Sequence, residues 1–145
     1  MLDEALTLIA PLDDPGLKIE ALFIGVLTSF YRGEFTRTRE LCEQGFPLYD
    51  EMTSKAHARH TGQNVGVTMQ SYWALALWHL GYPEQAMQRA QQAVDLARSL
   101  KHPFSLAYAL CHAGWLHHHC RLSDVGGPGE ARVQGIAVTA SDVFL

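Results

Sequence analysis

Apolar positions along this chain recur at intervals of three and four residues, and they do so most regularly between Val65 and Leu100. From Val65 to Leu80, Met69, Tyr72, Trp73, Leu77 and Leu80 form one wide apolar face, with Ala74 and Ala76 small enough for close approach and Trp78 and His79 off the stripe. From Pro83 to Leu100 the stripe is Ala86, Ala90, Ala93, Val94, Ala97 and Leu100, while Gln85, Gln88, Arg89, Gln92, Asp95 and Arg98 are expected to face water. Alanine at so many inward positions predicts a close helix contact. Pro83 suits a first helical position, where its missing N–H has no partner to lose. The connection Leu80-Gly81-Tyr82-Pro83-Glu84 is too short for anything but a reversal, so the two patterns predict an antiparallel helical hairpin.

The flanking segments read as partners for that hairpin. Leu2 to Ala10 carries the helical spacing Leu2, Ala5, Leu6, Ile9 and stops at Pro11; Asp13-Asp14-Pro15-Gly16 is a turn; Leu17 to Tyr31 is apolar on most sides, as a helix packed between neighbours would be. Arg32-Gly33-Glu34 closes it, and a second helix is expected from Phe35 towards Asp50 on the stripe Phe35, Leu41, Cys42, Phe46 and Tyr49. Gly45 and Pro47 interrupt that helix, predicting a kink or early end near Gly45. Glu51 to Asn64 is polar and reads as a long loop; Lys101-His102-Pro103 is a turn; a last helix runs from Phe104 to about Arg121. After Ser123, Gly126-Gly127-Pro128-Gly129 cannot continue a helix, and Val133 to Leu145 has no helical period, so the expected division is a helical domain over 1–122 and an irregular tail over 123–145.

Composition narrows the classes. With 145 residues, 48% hydrophobic and 18% charged, the chain has enough apolar content for one folded domain. A formal charge of −4, with the eleven Lys and Arg residues scattered, disfavours nucleic acid as a partner. No apolar run approaches the ~20 residues of a bilayer span and the N-terminus is acidic, so a cytoplasmic location without membrane contact is expected. Cys42, Cys111 and Cys120 are widely spaced with no CxxC pair, which predicts reduced, mostly buried thiols.

A repeat underlies the pattern. A shift of 40 residues aligns Val65–Gly81 with Ser105–Arg121, pairing Ala74 with Gly114; a shift of 48 aligns Gly33-Glu34-Phe35 with Gly81-Tyr82-Pro83. The strings YRGEFTRTRELCEQ (Tyr31 to Gln44), YWALALWHLGYPEQAMQRAQQAVDLARSLKHPFSLAYAL (Tyr72 to Leu110) and GWLHH (Gly114 to His118) resemble the tetratricopeptide-like repeat regions of bacterial multidomain signalling ATPases, including those fused to adenylate or guanylate cyclase domains. The resemblance covers about residues 17 to 121. It implies an all-α fold of stacked antiparallel helix pairs, a fragment of a tetratricopeptide-like α-solenoid, with Gly81 as the turn glycine and Ala74 and Ala86 as the small packing residues. Thr38 departs from the pattern where a small residue is expected, Pro47 breaks the first pair, and the second helix of a third pair is missing after Leu122.

The chemistry-bearing residues do not assemble into a catalytic signature. No GxxxxGK[ST] or GxGxxG is present, so no nucleotide or other cofactor is expected. His117-His118-His119-Cys120, with His112 before it, invites a metal reading, but adjacent helical residues point ~100° apart and the spacing does not match a helical zinc site, so no metal is expected. His57 and His60 sit in the polar loop, and of the cysteines only Cys120 has a base guaranteed nearby, a sequence neighbour that need not face it, so inert thiols are expected. The chain is therefore expected not to be an enzyme. The resemblance implies that the first helix of each pair lines a concave face, which gives a candidate groove of Ser71, Leu75, Trp78, His79, Cys111, Trp115, His118 and His119. The expected function is a protein–protein interaction or regulatory scaffold, with a protein partner or a second copy docking on the uncovered face of the last helix. The alternative is a small-ligand sensor of the kind found in transcription activators, closing Trp78, Trp115 and His118 around a small molecule.

Overall fold

The computed structural model describes residues 14–49 and 62–124, together with Glu4, Thr7 and Pro11. Among them are five α-helices, one 3-10 turn and no strand: α1 (Pro15–Tyr31), α2 (Phe35–Gly45), the 3-10 turn Phe46–Leu48, α3 (Val65–His79), α4 (Pro83–Ser99) and α5 (Pro103–Asp124). Of the helix expected over Leu2–Ala10 only Glu4 and Thr7 are described, both helical; most of the loop expected over Glu51–Asn64 and the tail from residue 125 lie outside the described residues.

The helix ends follow from local chemistry. α1 begins two residues before its expected start because the Asp14 side chain accepts from the Gly16 and Leu17 amides at 2.8 and 3.3 Å, with Pro15 at the first position. Asn64 plays the same part for α3, accepting from the Val67 amide at 3.1 Å. His102 does so for α5, its Nδ1 lying 3.3 Å from the Ser105 amide and 2.8 Å from Ser105 Oγ. α2 ends at Gly45, as the Gly45–Pro47 interruption predicts, and Phe46-Pro47-Leu48 tighten into the 3-10 turn. α5 continues to Asp124, past the expected end at Arg121.

α1 and α2, and likewise α3 and α4, are joined by turns with one hydrogen-bond pattern. In the first, the Gly33 amide donates to Phe30 O and the Glu34 amide to Ser29 O; in the second, Gly81 donates to Trp78 O and Tyr82 to Leu77 O. Both are Schellman closures, and both need a residue at positive φ, which Gly33 (76°) and Gly81 (85°) supply without steric cost. The α4–α5 turn puts Lys101 at φ 51°, a conformation that disfavours a side chain.

α3 is the centre of the packing: each of the other helices and the 3-10 turn lies against it. Every residue from Val65 to Leu77 is buried, so the single apolar face expected for this helix is in fact a full circumference. Two of the polar residues on it are satisfied locally, Thr68 donating to Asn64 O and Ser71 to Val67 O, while Gln70 Oε1 is buried without a partner. Gly66 lies under the Tyr49 ring, where a Cβ would come within 2.5 Å of ring carbon, and the Tyr49 hydroxyl accepts from Asn64 Nδ2 at 3.2 Å. The chain leaving α2 is thereby pinned to the start of α3. In α4 the expected stripe Ala86, Ala90, Ala93, Val94 and Ala97 is buried. Arg89 corrects the expected water-facing set: its guanidinium lies over the Trp73 ring, 3.6 Å from the centroid. Thr38, out of pattern in the sequence, is fully buried with its hydroxyl donating to Glu34 O at 3.1 Å.

Candidate functional site

α5 lies beside α3 in the register of the sequence repeat. Tyr72 meets His112 with ring centroids 5.7 Å apart, and Trp78 meets His119 at 5.1 Å, pairs separated by 40 and 41 residues. A row of rings results along one edge. Phe35 of α2 stacks on His79 of α3 at 4.1 Å; His79 meets Trp78 at 4.8 Å; His119 of α5 bridges Trp78 to Trp115, which it meets edge-on at 4.8 Å, and His118 lies 5.9 Å from His119.

Of the eight candidate groove residues, Trp78, His79, Trp115, His118 and His119 therefore come together, and Cys111 is exposed one turn before Trp115. Ser71 and Leu75 do not line an open surface. Each is 2% exposed, because α3 has a neighbouring helix on every side. The cysteine expectation divides in the same way, with Cys42 and Cys120 buried and Cys111 exposed. Next to the row, at Phe35, an open depression of about 740 Å3 is lined by Gly33, Glu34, Phe35, Arg37, Glu40 and Leu80.

A second cluster, which the sequence pattern did not single out, crosses the first helix of each pair. The hydroxyls of Tyr31 (α1) and Tyr72 (α3) are 2.9 Å apart, Phe30 packs edge-on to Tyr72 at 5.0 Å, and Tyr108 (α5) lies over His112 at 4.2 Å. Burial, with hydrogen bonding to Tyr31 and Tyr108, pushes the Tyr72 phenol far up, and burial also raises Tyr108. No repeat signal marks these tyrosines: the shift of 40 pairs Tyr72 with His112, and Thr68 with Tyr108.

No Asp, Glu, Lys or Arg belongs to the ring row. Burial lowers the pKa of His79, His112 and His117; like charge from His119 adds to the effect at His79, and from Arg121 at His117. The Nδ1–H of His112 donates to Tyr108 O at 2.9 Å, while Nε2 of His117 is buried without a partner. Among the described residues no three His, Cys, Asp or Glu side chains converge as a metal site would require. The Cys42 thiol is driven far up by burial and points at Met69 O, 3.7 Å away. His102 and Ser105 do form a serine–histidine contact, but Ser105 is buried and the pair closes the first turn of α5. Such an arrangement can stack rings and donate hydrogen bonds.

No protein-family model matches the chain, and neither a curated protein nor a solved structure matches it significantly. Among the described residues no helix is long and apolar enough to cross a membrane.

Proposed function

We propose that the chain is a tetratricopeptide-like helical-repeat module that acts without chemistry of its own, as an interaction or regulatory scaffold in a cytoplasmic signalling ATPase or cyclase system. Its work is to hold an aromatic surface rigidly in front of a protein partner. The observation that carries this reading is the continuous ring row Phe35–His79–Trp78–His119–Trp115, built from three helices and open at Trp115. Large rings on a rigid support are the side chains that anchor protein interfaces. The repeated Schellman turns and the 40-residue register of α3 and α5 support the tetratricopeptide-like part.

A photoreactive residue at His118 tests it. In cells that carry the protein it is expected to cross-link to a discrete protein, while the same residue at Gln92, on the outer face of α4, does not. Equal labelling at both positions, or none at His118, contradicts the reading. The convergence of Trp78, His119 and Trp115 also supports the second reading, a small-ligand sensor, for which saturable change in tryptophan fluorescence with a small molecule is the expected sign.

A further inference from the structure

Among the described elements α3 and α4 lie against α5, and the side it turns away from them has a specific pattern. Phe104, Ala107, Cys111, Gly114 and His118 are exposed at alternating intervals of three and four, with Trp115 flanking the seam. That is the spacing of a helix that packs against another helix along its length. From His102 to Cys120 there is no Asp, Glu, Lys or Arg, so a second copy of the same face meets it without like-charge repulsion along the seam. A protein partner chosen by charge would find nothing to read.

The seam is also complementary to itself. When two copies run antiparallel about a two-fold axis at Cys111, Trp115 of each falls opposite Ala107 of the other, and Phe104 opposite His118. Trp115 thus meets a small residue near the middle of the seam, and Gly114, with nothing within 4 Å of where a Cβ would stand, lets the two helices approach closely. Such an interface is isologous and closes at two copies. Phe104 (52% exposed) and Trp115 (44%) would supply most of the newly buried apolar area. A helix of this length is about 33 Å long, which places the contact at the small end of specific interfaces, near 1,200 Å2 or less, and a dissociation constant of roughly 1–50 μM is expected.

We propose that this chain forms a two-fold antiparallel homodimer through the outer face of α5, centred on Cys111. The proposal rests on the reading of α5 as the open end of an interaction module, and it names a second copy as the occupant. Lys101 and Arg121 come near each other at the two ends of the seam, so added salt should tighten the dimer rather than weaken it.

Sedimentation of the full chain from about 1 to 200 μM, run beside mild oxidation, tests this. The expected result is a monomer–dimer equilibrium, a covalent dimer linked at Cys111, and a Cys111→Ser variant that keeps the equilibrium but loses the covalent link. Cys111→Asp should be monomeric with unchanged helical circular dichroism, since two carboxylates then oppose each other. In the Cys111→Ser background, Ala107→Cys should not cross-link to itself, because antiparallel copies hold those positions about 12 Å apart; self-linking there would mean a parallel pair and overturn the register. A dimer that survives Cys111→Asp uses another face and overturns the proposal. A monomer at all concentrations overturns it too, with Cys111 resistant to alkylation if another part of this chain covers the face and readily alkylated if the face is open. A monomer that still cross-links a different protein at His118 leaves the scaffold reading standing while removing the homodimer.

Discussion

α3 and α5 are the same helix in sequence register and opposites in environment. Ser71, Ala74 and Leu75 of α3 are buried, whereas the residues 40 further on, Cys111, Gly114 and Trp115, are exposed. The difference does not lie in hydrophobicity alone, since Leu75 and Trp115 are both large, mainly apolar side chains. It lies in neighbours: α3 is enclosed by four helices, and α5 by two. Burial in a stacked helical array is thus set by position in the stack, and the end of the stack inherits apolar side chains that the middle would hide.

Matched substitutions should expose this asymmetry. Leu75→Ala is expected to cost about 2–4 kcal/mol in denaturant unfolding, because it opens a cavity in the middle of the stack. Trp115→Ala, at the equivalent position, is expected to cost less than about 1 kcal/mol in dilute solution. Similar costs would mean that α5 is enclosed as α3 is.

The glycines give the next largest contrast. Gly66→Ala places a Cβ against the Tyr49 ring and is expected to destabilise by about 1–3 kcal/mol. Gly114→Ala meets nothing and should stabilise the monomer by about 0.5–1 kcal/mol through helix propensity alone. The same methyl would stand between the helices of two paired copies, so this variant separates folding from association.

Much of this was legible in the sequence. The hairpin over Val65–Leu100, the break at Gly45–Pro47 and the alanine stripe of α4 were all written in local periodicity and turn residues, which act over a few positions. What the pattern could not supply depends on contacts between stacked helices. Met69, Trp73 and Leu77 mark one face of α3 as apolar, yet Thr68, Gln70 and Ser71 are buried as well because helices close on both sides. Arg89 looked like a solvent-facing residue, but Trp73 sits beneath its guanidinium. Candidate groove residues Ser71 and Leu75 were assigned by repeat position, and α5 and its neighbours closed over them. The tyrosine cluster was invisible for a related reason, since Tyr31, Tyr72 and Tyr108 come from three helices and share no repeat position.

Acid should act on the α3–α5 region through its histidines. Burial lowers His79, His112 and His117 below the ordinary value of 6.5, so the unfolded chain takes up protons first as pH falls. Their neutral forms leave stability intact above that value, and it is lost progressively below it. The melting temperature is expected to drop between pH 7.5 and pH 5.5, with His112→Gln flattening the drop. An unchanged slope in that variant would show that His112 is not desolvated between Tyr72 and Tyr108.

The smallest effect is expected at the third turn. Gly33 and Gly81 close their hairpins without strain, whereas Lys101 holds φ 51° with a full side chain. Lys101→Gly should gain about 0.5 kcal/mol, the relief of the left-handed conformation less the added freedom of glycine in the unfolded chain. A loss would mean that Lys101 makes a contact worth more than that strain.

The most direct test of an open α5 face is the alkylation rate of Cys111 in the native full chain, followed as protein concentration rises. At about 1 μM, Cys111 should react near the rate of the unfolded chain while Cys42 and Cys120 stay protected, and the Cys111 rate should fall through the tens of micromolar as copies pair. A Cys111 that is as slow as the two buried thiols at every dilution would contradict the open end of the stack. One that reacts fast at every concentration would contradict the pairing of two copies across it.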